Sequence, residues 1–351
     1  MYKNYNKDPW LAVNLSMFFP GLGQFYAGNY LQGFLFFNGQ ILWLVLTVWH
    51  IFAAKGNTVT GLICLGITII FYFSSLIEAH LSIYKQRNDP NLEKIPRKHK
   101  NVWFAIFITR ILPGLGHLYL QKSIIGLLIL TASLIVMGID DLYSNLLLFS
   151  PLITSLTIYH TYLIFPQKHR DRRGLLIAIM TGIIFILGVM VNYYPQWLEK
   201  RFDKFLIPSN SMQPTLQIND IVFVKKYPDY GPKIGDIVVF TPSENIKKAD
   251  PDVSDYYIKR VIATPGKKVK IQQGQVYLNN TPIQEPYIAE SPQYQLESMI
   301  VPANYYLVLG DNRNDSFDSH VWGLLPKDVI VGQAYKIGWP PKRIQSLDSY
   351  R

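Results

Sequence analysis

The sequence predicts an α-helical multi-span membrane domain followed by a mostly antiparallel β, barrel-like domain. Three observations lead there. Hydrophobic residues make up 49% of the 351-residue chain and charged residues 17%, below the roughly 25% usual for soluble domains. Long apolar runs occupy the chain up to Tyr194. Beyond it, short Val-, Ile- and Tyr-rich runs are punctuated by prolines and glycines, the pattern of strands and turns.

Segments 31–54, 59–84, 123–139, 146–165 and 174–194 read as five spans. The last, GLLIAIMTGIIFILGVMVNYY, carries no charge, and as a helix it reaches roughly 31 Å, against a hydrocarbon core of about 30 Å. Tyr193, Tyr194 and Trp197 follow where an aromatic belt would sit. Residues 1–194 hold 15 Lys/Arg against 7 Asp/Glu, and 195–351 hold 19 against 17, so most of the net charge of +10 belongs to the apolar half. Six of those cations lie in the linker 85–100 and four in 166–173; loop 140–145 has none and 55–58 has one. Basic loops stay on the cytoplasmic side. The expected path puts the N-terminus inside and everything after Tyr194 outside. No basic stripe or nucleic-acid motif is present, which argues against a nucleic-acid partner. Cys64, the single cysteine, excludes an intrachain disulfide and reads as a small buried hydrophobe. The start, MYKNYNKDPW, shows no small-residue cleavage site of a signal peptide.

This half also repeats. Asp8-Pro9-Trp10 leads to FPGLGQFYAGNYLQGFLFF, and Asn101-Val102-Trp103 leads to LPGLGHLYLQKSIIGLLIL. Trp10/Trp103, Pro20/Pro113, Tyr26/Tyr119 and Gly33/Gly126 keep one offset of 93. Each unit reads as a short helix, a Pro-Gly turn that lets backbones pack closely, and a spanning helix. His117 replaces Gln24 in the second copy and reads as a packed polar residue. Glu78 and Arg110 are charges near predicted helix ends, costly within a bilayer. The unit resembles the two-helix TM2-type membrane module. The expected domains are 1–84, a first membrane repeat; 85–100, a basic cytoplasmic linker; 101–165, a second repeat; 174–194, an anchor; and 195–351, the outer β domain.

In that outer domain, strands are expected at 220–227, 235–240, 256–263 and 304–312, with a hairpin over 269–283 turning at Gly274 and again at Asn279-Asn280. Three stretches there could carry chemistry. IPSNSMQPTL (207–216) places Ser209 and Ser211 between Pro208 and Pro214. A serine attacks only when a base takes its proton and donors hold the oxyanion. Ser, Asn and Pro are also ordinary turn residues, and alone that reading is the stronger. For a base, Lys259 lies on a strand face between Tyr257 and Val261, where desolvation would disfavour its charge. Moving it from about 10.4 to about 8 takes roughly 3 kcal/mol. A snorkelling surface lysine is the competing reading. GDNRNDSFDSHVWG (310–323) could offer oxygens to Ca²⁺ but lacks EF-hand spacing; a loop that orients other groups by hydrogen bonds fits equally well.

Together, PSNSMQPTL, GDIVVF, YIKRVIATPG and GDNRNDSFDSHVWG resemble, in order, the boxes of bacterial type I signal peptidases, and GDNRN-S-DSH-WG most resembles the branch from cyanobacteria and thylakoids. The resemblance implies a membrane-bound Ser–Lys peptidase that removes signal peptides from exported preproteins, cutting after small residues of the Ala-X-Ala type, without metal or cofactor. It implies Ser211 as nucleophile and Lys259 as general base. It assigns Ser209 to the oxyanion hole, Ser316 to orienting the lysine, and Asp318 to structural support with Arg260 and Arg313 nearby. Phe205, Ile207, Val239 and Tyr257 would line the substrate pocket. Implied partners are preprotein signal peptides, the lipid bilayer of a cell or thylakoid membrane, and the secretion translocon. His320 stands where many members carry Arg, so its ion pair with Asp318 would depend on pH; Lys267 replaces an Asp that often follows Pro265-Gly266. A membrane scaffold or transport protein with a degenerate protease-like binding domain is the rival reading, which the intact Ser–Lys pair opposes; another Ser–Lys protease, such as a self-cleaving regulator, is disfavoured by the membrane anchor.

Overall fold

In the computed structural model, residues 7–85, 93–140, 147–166, 173–226, 230–250 and 253–347 are described. Loop 140–145 beyond its first residue and much of both basic linkers lie outside them. The chain divides into two compact units, residues 1–46 with 64–197 and residues 47–63 with 198–351.

The helices of the apolar half are α1 (Pro9–Ser16), α2 (Leu22–Ala27), α3 (Tyr30–Phe52), α4 (Thr58–Tyr84), α5 (Val102–Ile111), α6 (Leu115–Tyr119), α7 (Ser123–Asp140), α8 (Phe149–Ile164) and α9 (Gly174–Glu199). The sequence repeat becomes a repeat of contacts in the first unit. Asp8 caps α1 by accepting from the Trp10 and Leu11 amides, and Asn101 caps α5 by accepting from Phe104. Tyr26 accepts the Asp8 amide at 3.0 Å, as Tyr119 accepts that of Asn101 at 2.9 Å. The two copies meet where the Asn101 amide group donates to the Asp8 carboxylate at 2.7 Å. Gly21 and Gly114 start α2 and α6 at φ 98° and 100°, a conformation that favours glycine. A Cβ on either would collide with a carbonyl, that of Gly33 or Gly126. Gln24 donates to the Ser75 carbonyl, whereas His117 in the second copy shares a 2.8 Å hydrogen bond with His160. Arg110 caps the Asn14 carbonyl at 2.7 Å. Leu11, Trp103, Ile106, Ile158 and Ile177 form the buried centre.

Among the described residues, α3, α4 and α9 are long and apolar enough to cross a membrane. Of the five segments expected to span, 31–54, 59–84 and 174–194 correspond to these three helices. In the other two segments the helices are α7, with 18 residues, and α8, with 16, roughly 27 and 24 Å of helix.

The second unit carries β1 (Phe202–Leu206), β2 (Ile221–Lys225), β3 (Ile237–Phe240), α10 (Glu244–Ala249), β4 (Tyr257–Ala263), β5 (Lys268–Gln272), β6 (Gln275–Leu278), β7 (Thr281–Pro282), β8 (Leu296–Ile300), β9 (Tyr305–Leu309), α11 (Ser319–Trp322), β10 (Leu325–Pro326), β11 (Ile330–Trp339) and β12 (Gln345–Ser346). An antiparallel half-barrel runs β1-β2-β11-β3-β4-β9-β10, with β12 on β11, and a four-stranded sheet runs β7-β6-β5-β8. β3 is buried on both faces. Ile237 and Val239 join Ile207, Met212, Leu216 and Val222 on one side; Val238 and Phe240 join Val261, Val308 and Trp322 on the other. At 47–63, the last carbonyls of α3 find partners on β11. The Tyr335 hydroxyl donates to Phe52 at 3.0 Å, and the fully buried Lys336 donates to His50 and Ile51 at 3.0 and 3.1 Å. A cation at a helix C-terminus is where the backbone dipole favours one.

Candidate active site

The stretch 207–216 leaves β1 as a set of tight turns. The Gln213 amide donates to Asn210 and that of Leu216 to Met212, while the buried Met212 and Leu216 side chains pin the loop to the core. This holds Ser211 mostly buried at 9% exposure, with Ser209 and Asn210 exposed beside it. β4 delivers Lys259 from the other side. Its ammonium nitrogen lies 2.8 Å from Ser211 Oγ and 3.0 Å from the Ile258 carbonyl. Ser209 Oγ sits 3.3 Å from Ser211 Oγ. Burial pushes the Lys259 pKa down to about 8, against the opposing pull of Asp318 and then Asp311. An amine with that pKa is largely available as a base in mildly alkaline solution.

The 310–323 loop braces this pair from behind. The Asn312 amide donates to the Ser211 carbonyl at 3.1 Å. Gly310 lies so close that a Cβ there would collide with that carbonyl and with the Ser316 side chain. Asp318, fully buried, accepts the Gly310 amide at 2.8 Å and the His320 amide at 3.2 Å, and its Oδ1 lies 2.8 Å from His320 Nδ1.

Several expected residues occupy other relations than the sequence suggested. Arg260 pairs with Asp311, not Asp318: Nε and Nη2 reach the two carboxylate oxygens at 2.8 and 2.6 Å, with both side chains fully buried. Thr215 adds a 2.5 Å hydrogen bond to Asp311, and Tyr287 lies under the guanidinium at 4.0 Å. Arg313 donates to the Gly310 carbonyl at 3.0 Å and grips Glu285 at 2.9 and 2.6 Å. Strand neighbours alternate faces, so Arg260 points away from the side Lys259 serves. The hydroxyl of Ser316 is buried without a hydrogen-bond partner, so no bond joins it to Lys259. Phe205, Ile207 and Val239 share one apolar cluster with Ile258. Tyr257 stands apart in the neighbouring cluster, stacked on Phe240 at 5.9 Å. Asp311, Thr215, Glu285, Tyr287, Gly310 and Ile258 were missed in sequence. Asp311 and Gly310 belong to the polar loop already singled out, and Ile258 to the lysine strand. Glu285 and Tyr287 sit in an unpatterned stretch with no signal of their own.

Comparison with known proteins bears directly on this arrangement. Residues 176–339 match the family model described as signal peptidase, peptidase S26. Signal peptidase I of Leptolyngbya laminosa is 46% identical over 143 residues, covering 40% of this chain and 70% of that protein. Probable signal peptidase I-2 of Synechocystis sp. is 46% identical over 172 residues, covering 48% of this chain and 74% of that protein. The chain belongs to the type I signal peptidase family. These relatives, with probable thylakoidal processing peptidase 2 of Arabidopsis thaliana, 38% identical over 143 residues and covering 40% of this chain and 39% of that protein, place it in the cyanobacterial and thylakoid branch. Signal peptidases of this family are serine endopeptidases, and the matched region contains 207–216, β4 and the 310–323 loop. α1 to α8 precede the matched region.

Proposed function

We propose that the protein removes signal peptides from exported preproteins by Ser–Lys acyl transfer. The observation that carries this is the 2.8 Å approach of Lys259 Nζ to Ser211 Oγ, with burial lowering the lysine pKa to about 8. Neutral Lys259 accepts the Ser211 proton as Oγ attacks the scissile carbonyl, and passes that proton to the leaving amine. A water that loses its proton to Lys259 then hydrolyses the ester. Ser209, whose hydroxyl is 3.3 Å from Ser211 Oγ, contributes a donor to the oxyanion. The hydroxyl of Ser316 serves a secondary, orienting role as the lysine changes protonation. Asp318, with the Arg260–Asp311 and Arg313–Glu285 pairs, supports the loop that carries these groups. The cluster of Phe205, Ile207, Val239 and Ile258 favours small side chains before the cut, as in Ala-X-Ala. Tyr257 supports it from the adjoining cluster.

We further propose that α9 anchors the 195–351 domain and that this domain lies outside. In that topology the cut site of a translocating preprotein, whose apolar core stays in the bilayer, emerges at the same surface, beside the secretion translocon. The placement of 47–63 in one compact unit with the peptidase agrees with this, since the charge rule puts the turn after α3 outside as well. The test is a cleavage assay with an Ala-X-Ala preprotein and the full chain in detergent. Ser211→Ala and Lys259→Ala are each expected to lose at least about a thousandfold in kcat/KM. Cleavage retained in either variant refutes the dyad.

A further inference from the structure

Two buried carboxylates act on Lys259, and they are compensated in different ways. Asp311 is held at two points by the fully buried Arg260, a guanidinium that stays charged at every working pH. Asp318 is equally buried but faces an imidazole. His320 Nδ1 lies 2.8 Å from Asp318 Oδ1, with the histidine side chain 21% exposed. The ring is fixed in place by stacking on Tyr294, with centroids 3.9 Å apart and planes within 10°. The other Asp318 oxygen takes the Gly310 amide at 2.8 Å, and Gly310 abuts the Ser211 carbonyl. An unbroken chain of contacts thus runs from the imidazole to the backbone of the nucleophile.

We propose that His320 is a positioning residue for the Ser211–Lys259 pair, acting through Asp318 and Gly310 and coupling the readiness of that pair to the protonation of the imidazole. The proposal rests on the Ser–Lys reading given above. A protonated imidazole neutralises Asp318 and adds positive charge nearby, so the Lys259 ammonium loses support and gives up its proton more readily. A neutral imidazole leaves Asp318 to stabilise that ammonium. His320 therefore supplies neutral lysine at lower pH than Lys259 would reach beside an uncompensated Asp318. Among the described residues, the charged groups besides Asp318 that act on Lys259 or on the Tyr294 ring beside the imidazole are Asp311, paired with Arg260, and Arg313, paired with Glu285. The Tyr294 phenol is pushed up by burial and by Asp318, which keeps it neutral. Arg313 and Glu285 compensate each other at 2.6 and 2.9 Å. Apart from Lys259, the imidazole is the side-chain type among these whose charge normally changes near neutrality.

The test is the pH profile of kcat/KM for preprotein cleavage by the full chain in detergent, from about pH 5.5 to 9.5, a range that brackets the lowered lysine value of about 8. The deficit of His320→Gln relative to the unaltered chain is expected to grow at least about threefold from pH 9 to pH 6. His320→Arg is expected to move the acid limb down by about 0.5–1 pH unit. A purely structural role changes the amplitude and leaves the shape. A His320→Gln ratio that is constant with pH overturns the proposal, and that ratio decides where His320→Arg fails to fold or disagrees. Cleavage surviving in a parallel Lys259→Ala control would instead refute the Ser–Lys reading, so the two failures are distinguishable.

Discussion

In the proposed mechanism only the uncharged form of Lys259 takes the serine proton, so activity depends on how far burial lowers its pKa. That burial has a cost to stability. Its pKa of about 8 in the folded chain lies below the roughly 10.4 of an exposed lysine, so the unfolded chain binds more protons between those values. Stability therefore rises with pH across about 8 to 10.4, and the penalty of up to about 3 kcal/mol is fully present below pH 8. Lys259→Met is expected to abolish cleavage while stabilising the protein by about 2–3 kcal/mol at pH 7, a gain that fades above about pH 10. Thermal unfolding of both proteins across that range checks it; a gain independent of pH would contradict the assignment. At this scale the sequence was informative about identity and less so about pairing. Ser211 and Lys259 were singled out from their boxes, and the fold sets them 2.8 Å apart, but the partner of Arg260 could not be read. Asp311 and Asp318 are both acids of one loop, and only the fold decides which faces which side of β4.

Elements built on clean apolar alternation were legible. β2, β3, β4 and β9 fall within the expected segments and the β5–β6 hairpin starts one residue before its own, because Val, Ile and Tyr runs bounded by Gly, Pro and Asn leave few other readings. β11 was not legible, although it is the longest strand of the second unit at ten residues. Gly332 and Gly338 interrupt it, Gln333 and Lys336 break its apolar pattern, and its register shifts twice against β2. Lys336 points inward for a reason no local pattern contains: its partners are carbonyls about 285 residues away. α7 was legible to within one residue of its observed end, whereas the segment read for α8 ran past that helix at its end, since apolar composition does not report where a helix stops. Between β4 and the polar loop, the buried Arg260–Asp311 pair fixes one element against another. Arg260→Met leaves a buried carboxylate without its cation and is expected to cost about 3–5 kcal/mol. Adding Asp311→Leu should recover most of that loss in denaturation experiments, with Thr215 left as the unpaired remnant. Additive losses would show that the pair is not a unit.

For the molecule as a whole, a catalytic domain of family type follows a helical half that precedes the matched region. The two copies of the PGLG unit mirror each other in caps, tyrosine contacts and glycine crowding, and that half was legible because duplication repeats its own pattern. The proposed topology predicts that protease added outside intact cells digests the chain after Tyr194 and spares the 93–100 segment; protection of the tail would reverse the orientation. The central claim, that a neutral, buried Lys259 activates Ser211, is tested most directly by the pH dependence of kcat/KM for preprotein cleavage by the full chain. An acid limb centred near pH 8 is expected, matching the lowered lysine, with a plateau above it where Lys259 is uncharged. Activity that stays flat from about pH 6 to 9, or a limb centred near the value of about 6.5 normal for imidazole, would contradict it.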